Sequence, residues 1–218
     1  MNKCRIKKQD LHFAIPVSLF LLGLACLFIG FYFIACQYSG YISFIFKGSC
    51  TVSAAKRTTS SVQHPNKNTI PAIVYSQYGT VMGHLTIKSA GIVNCPVYHG
   101  DGNDQLRKGI GQFVGGKYPG EGGKIILDAH RETFFHNLRL VKSGDKVGFT
   151  TIYGQYIYKV YDIKILPDTE TSIIAPDSSQ ENLEMYTCYP FDTIGYHPKR
   201  YVVYAKLVSG TKVKIPKF

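Results

Sequence analysis

The stretch Gln155-Tyr156-Ile157-Tyr158-Lys159-Val160-Tyr161-Asp162-Ile163-Lys164-Ile165-Leu166 reads as a β-strand. Tyr156, Tyr158, Val160 and Ile163 are aromatic or β-branched, types that pack well on a pleated surface and lose rotamer freedom in a helix. Just before it, Tyr153-Gly154 has the character of a hairpin turn, and beyond the turn Lys146–Thr151 is a second run of the same kind. Further out, Val81–Ile87, Lys124–Leu127, Leu183–Tyr189 and Tyr201–Val208 repeat the pattern, each bounded by turn residues. Helical signal is confined to two short windows, Asn103–Lys108 and Glu132–Val141. No βαβ alternation joins the strands. The expected fold class is mainly β, about eight strands in a closed or nearly closed barrel with short helices.

The chain has 218 residues, 13% aromatic and 18% charged, a composition that excludes disorder. From Leu11 to Phe46 there is no Asp, Glu, Lys or Arg. About 20 such residues cross a bilayer as a helix, so residues 13–36 are expected to be a single transmembrane anchor. The alternative, a cleaved signal sequence, normally has a shorter apolar region. Lys3, Arg5, Lys7 and Lys8 precede the anchor and place the N-terminus on the cytoplasmic side. The expected layout is a cytoplasmic basic tail at 1–12, the anchor, an extracellular tether rich in Ser, Thr and Lys at 37–68, and a folded domain at 69–218. The net charge of +11 splits between the anchor region and the domain. The domain's basic residues are scattered, which argues against a nucleic-acid partner and for an anionic surface such as a cell wall or lipid headgroups.

Several candidate chemistries fail on their own residues. Gly111-Gln112-Phe113-Val114-Gly115-Gly116-Lys117 copies a phosphate-binding loop as far as Lys, but Tyr118 replaces the hydroxyl residue that would bind magnesium, so a plain loop is expected. His130 and His136 are spaced poorly for a shared metal, and no CxxC occurs, so neither metal nor cofactor is expected. Of the domain's two cysteines, Cys95 lies in the apolar run Ile92-Val93-Asn94-Cys95-Pro96-Val97 and reads as a core residue. Cys188 differs: it closes a strand that Tyr189-Pro190 stops, and a thiol at a strand end is presented to a loop-lined cleft.

Glu184-Met185-Tyr186-Thr187-Cys188 resembles the TLxTC signature of sortases. Pro198-Lys199-Arg200-Tyr201-Val202-Val203 resembles the Arg-bearing strand that follows it, and Pro119 to Arg131 resembles the family's PG…GN…LAGHR segment. Phe135-His136-Asn137-Leu138, Gly144-Asp145 and Gln155 to Val160 are similar to its FxxL, GD and YxYxV positions, so the likeness runs in order over residues 80–208. The departures are Asp128-Ala129 before His130 where Ala-Gly is usual, Lys124 for Asn, Glu184 for Thr and Met185 for Leu. The short interval from Pro167 to Leu183 and the lack of a lid segment make class D, or a class A-like enzyme, the nearest match.

The resemblance implies a sortase-type barrel acting as a cysteine transpeptidase at the cell membrane, its domain outside. Cys188 would be the nucleophile, His130 the proton carrier, and Arg200 the oxyanion or backbone holder. It implies as partners secreted proteins bearing an LPxTG-like sorting signal, cut between Thr and Gly, and an amine of a cell-wall peptidoglycan precursor. A groove for the signal is expected beside Cys188, with Ile194 or Val97 among its residues. The competing reading is a tethered β-barrel that binds wall or protein ligands without catalysis.

Overall fold

The computed structural model describes residues 16–34, 70–175, 180–193 and 195–216. The basic tail, the tether and Ile194 lie outside them. Helix α1, Pro16–Ile34, is 19 residues long, exposed along its length, and long and apolar enough to cross a membrane. Pro16 opens it, where a missing N–H costs nothing because the first amides have no intrahelical acceptor.

The remaining elements form a closed eight-stranded barrel. The strands are β1 (Val81–Ile87), β2 (Ile92–His99), β3 (Ile110–Gln112), β4 (Lys124–Asp128), β5 (Lys146–Thr151), β6 (Gln155–Pro167), β7 (Asn182–Tyr189) and β8 (Lys199–Gly210). Around the barrel they run β1-β2-β3-β4-β7-β8-β6-β5, with β5 closing on β1. The pairs β2–β3 and β4–β7 are parallel and the rest antiparallel. A parallel pair needs a crossover, supplied for β2–β3 by a segment containing the short helix α2 (Asn103–Leu106). The β5–β6 hairpin forms at the expected place: the Thr151 hydroxyl accepts from the amides of Tyr153 and Gly154.

Alternate residues on each strand point inward and form one core that includes Leu85, Val97, Ile110, Ile125, Leu127, Phe149, Tyr156, Tyr158, Leu183, Met185, Val203 and Ala205. Outside it, Glu181 fastens the glycine-rich segment after Pro119 to the start of β7. Its carboxylate accepts the Gly120 amide at 3.1 Å and the Tyr158 hydroxyl at 2.6 Å. Gly120 has φ 87°, and a Cβ there would stand 2.6 Å from the Tyr156 hydroxyl, so no other residue fits.

Two strands are not among the runs named from the sequence, Ile92–His99 and Ile110–Gln112; in the first, Asn94 at φ 51° and Pro96 break the alternation that marks a strand, and the second is only three residues long. Three sequence expectations need correction. Gly111 and Gln112 belong to β3, not to a loop. Val97 is fully buried inside the barrel and cannot line an external groove. Within the window 132–141 the regular structure is a 3₁₀ segment, His136–Leu140, not an α-helix.

Candidate active site

Leu183 and Met185 are in the core, so Glu184, Tyr186 and Cys188, which alternate with them on β7, face outward. Cys188 is half-buried there and carries a free thiol, the only one in the barrel among the described residues. Cys95 occupies the core as its apolar setting suggests, but it is disulfide-bonded and not a thiol.

Arg200 is the direct β8 partner of Cys188, and residues opposed across antiparallel strands share a face. The twelve-residue interval that separates them in sequence is therefore the length of one loop and its return. The Arg200 guanidinium donates from Nη1 to the His197 carbonyl at 2.9 Å and to the Lys199 carbonyl at 3.0 Å. Those carbonyls lie in and next to the β7–β8 loop, so the side chain is held by the chain that delivers it.

His130 follows β4, which runs parallel to β7 with Asp128 opposite Tyr186. Carrying that register on by two residues brings His130 level with Cys188. The strand pairing itself stops at Asp128, but the buried Thr187 hydroxyl donates to the Ala129 carbonyl at 2.7 Å and keeps the two chains together past the end of the ladder. His130 is exposed. The three sequence-derived candidates are thus gathered at one end of the β4–β7–β8 surface.

Asp128 shares the outer face with Tyr186. Its Oδ1 is buried without a hydrogen-bond partner, over Gly111, where a Cβ would come within 2.9 Å of that oxygen. Burial, then the nearby Asp101 carboxylate, raises the Asp128 pKa to about 8. The Tyr186 hydroxyl is pushed upward too, by burial first and then by Asp128 and Asp101. The shift favours the neutral carboxyl and makes Asp128 a weaker anionic partner for His130. His136 belongs to a separate arrangement: its Nε2 accepts from Arg139, so its Nδ1 carries the hydrogen and donates to the Arg131 carbonyl at 3.1 Å.

Sequence reasoning gave no role to Arg131. Its buried guanidinium donates to the carbonyls of Pro190 at 2.7 Å, Phe191 at 2.8 Å and Thr193 at 2.6 Å, and pairs with Glu132 at 2.7 Å. It ties the residue after His130 to the loop after Cys188. Arg139 braces the same loop, bidentate to Asp192 at 2.9 Å and lying over the Phe191 ring. Only the planar fork of Arg reaches several acceptors at fixed angles. The position beside His130 was a signal, but the acceptors are backbone atoms 59 to 62 residues away, which residue types do not reveal.

The outer face is covered as well as open. Ile126 and Val202 lie on it yet are buried. The 3₁₀ turn Thr171–Ile173, in the β6–β7 connection, sits over it, for Lys124 Nζ donates to the Ser172 carbonyl at 2.8 Å. The two connections that flank the floor are joined to each other by the Tyr196 hydroxyl, which donates to Asp168 at 2.7 Å, and by the Asp168 amide donating to Pro198 at 2.9 Å. Cys188, Arg200 and the segment carrying His130 thus meet at one end of this three-strand surface, while the turn Thr171–Ile173 lies over its Lys124–Glu184 end.

Residues 85–208 match the family model described as a sortase domain, more than half of the chain. Sortase D of Bacillus subtilis (strain 168) is 38% identical over 114 residues, which cover 52% of this chain and 58% of that protein. The chain thus spans less than two thirds of the length of that curated relative. Among solved structures, sortase C from Clostridium perfringens SM101 has TM-score 0.54 and 27% identity, over 61% of this chain and 72% of that one. The Clostridium perfringens Sortase D5 transpeptidase has TM-score 0.56 over 62% of this chain and 83% of that one; at 23% identity it supports the fold alone.

Proposed function

Because the chain belongs to the sortase family, and class D fits its curated relative, we propose that it is a cysteine transpeptidase that cleaves an LPxTG-like sorting signal between Thr and Gly and passes the new C-terminus to a cell-wall amine. The observation that carries this reading is the opposition of Cys188 and Arg200 on paired strands, with the His130 segment bonded to the same β7 strand through Thr187. The Cys188 thiolate attacks the Thr carbonyl carbon; the C–S bond forms, the peptide C–N bond breaks, and His130 gives its proton to the departing amine. An amine of the peptidoglycan precursor then attacks the thioester. The new C–N bond forms, the C–S bond breaks, His130 takes up the amine's proton, and the Cys188 thiolate is regenerated. Arg200, always charged, turns donors toward the carbonyl oxygen as it gains charge.

We extend the proposal to the membrane. Helix α1 anchors the chain with its N-terminus in the cytoplasm and the barrel outside, where both substrates are found. The test incubates the full chain in detergent with an LPxTG-type peptide library and a small amine, and follows acyl transfer by mass spectrometry. Cys188→Ala should abolish transfer, and Arg200→Lys should lower kcat about a hundredfold because the fork is lost. Intact cells expressing the chain should consume the same peptide added from outside. Transfer that survives in Cys188→Ala would reject the mechanism.

A further inference from the structure

Two of the residues that depart from the sortase pattern meet each other in the fold. Lys124 stands where that pattern has Asn and Glu184 where it has Thr. The Lys124 ammonium and the Glu184 carboxylate pair at 3.0 Å, with side chains only 9% and 7% exposed. The strand register makes the contact possible: Lys124 lies opposite Asn182 and Ile126 opposite Glu184, so the pair is a diagonal neighbour on one face, within reach of long side chains. A buried ion pair is weak evidence for stability, since well-packed apolar residues often do as well. Its use has to be sought in what else it holds.

The third partner belongs to the loop above the barrel. Lys124 Nζ donates to the Ser172 carbonyl at 2.8 Å, in the 3₁₀ turn Thr171–Ile173. That turn is organised locally by Glu170, whose carboxylate accepts the Ser172 amide, and its Ile173 is buried. The ammonium thus bonds the turn to the floor strand on one side and pairs with Glu184 on the other. Glu184 is on the same face of β7 as Cys188 and four residues away, about 13 Å along a strand. An extended peptide of about four residues spans that distance, the length of a sorting signal upstream of its scissile bond.

We propose that the Lys124–Glu184 pair is a positioning device for the sorting signal: by gripping the Ser172 carbonyl it holds the turn Thr171–Ile173 as a wall over the floor strand, and so sets affinity for the signal without touching the reacting atoms. This rests on the sortase reading above. It predicts that the pair governs KM and leaves kcat nearly alone.

The experiment uses the full chain and the double variant Lys124→Asn/Glu184→Thr, which installs the residues usual in the family and leaves no buried charge unpaired. Steady-state transfer of an LPxTG-type peptide to a small amine should show KM raised about tenfold with kcat held within about twofold. Hydrogen exchange of the amides of 171–175 should accelerate while those of β7 and β8 keep their protection. Unchanged KM with unchanged exchange overturns the proposal, as does a fall in kcat at constant KM. If the double variant does not fold, Glu184→Gln, which keeps the shape and loses the charge, is read by the same two measurements. A wild-type chain that acylates with no peptide overturns the sortase reading instead, and the exchange data still decide whether the pair holds the wall.

Discussion

At Asp128 the barrel buries a carboxyl oxygen that finds no partner, over Gly111 and beside Asp101. With the pKa raised from 3.8 to about 8, the folded state holds a proton that the unfolded state has already released. Between those values the folded chain binds more protons, so stability from this group is fully present at low pH and falls as pH rises, by up to about 1.4 kcal/mol per pH unit, levelling off above the folded pKa. Asp128→Asn should remove that decline. Urea unfolding of both proteins at about pH 5 and about pH 8 checks it, and an identical pH dependence in the two would reject it. The same residue shows where reading types stops. Cys188, His130 and Arg200 could be proposed from the sequence because their chemistry and order match a known pattern. That the Asp128 pKa is raised depends on burial over Gly111 and on Asp101, brought to it by β3 and the β2–β3 connection, and no local spacing encodes that.

Among the elements, β1, β5 and β6 were legible because they are long runs of β-branched, aromatic and other apolar residues bounded by turn residues, and the Tyr153-Gly154 turn separates two of them. Strand β2 was not, since Asn94 and Pro96 interrupt it, and β3 is too short to carry a period. The loop between β7 and β8 is the element on which the site depends most, and Arg131 holds it through three carbonyls. Replacing Arg131 by Ala should cost on the order of 3 kcal/mol of stability, because buried carbonyls lose a charged donor. Turnover should fall by more than about tenfold, since the loop after Cys188 and the residue after His130 are no longer tied. Arg131→Lys should recover only part of both, as one ammonium cannot reach the same acceptors at fixed angles. Urea unfolding and turnover measured on the same preparations decide it; full activity in Arg131→Ala would count against the bracing role.

For the whole molecule, the strand order brings residues far apart in sequence to one end of the β4–β7–β8 surface. The parallel β4–β7 pairing carries His130 toward Cys188, and the antiparallel β7–β8 pairing sets Arg200 opposite it. The closed barrel was foreseeable from the spacing of short strands, whereas its order around the barrel and the register of β4 on β7 follow from packing that only the fold displays. The most direct test of the central claim is to mix the full chain with a cleavable LPxTG-type peptide, quench in acid, and map the acylated residue by mass spectrometry. A thioacyl adduct on Cys188, discharged by added amine and absent from Cys188→Ala, is the predicted result. An adduct on another residue, or none with any peptide of the library, would contradict the account and leave a β-barrel that binds without catalysis.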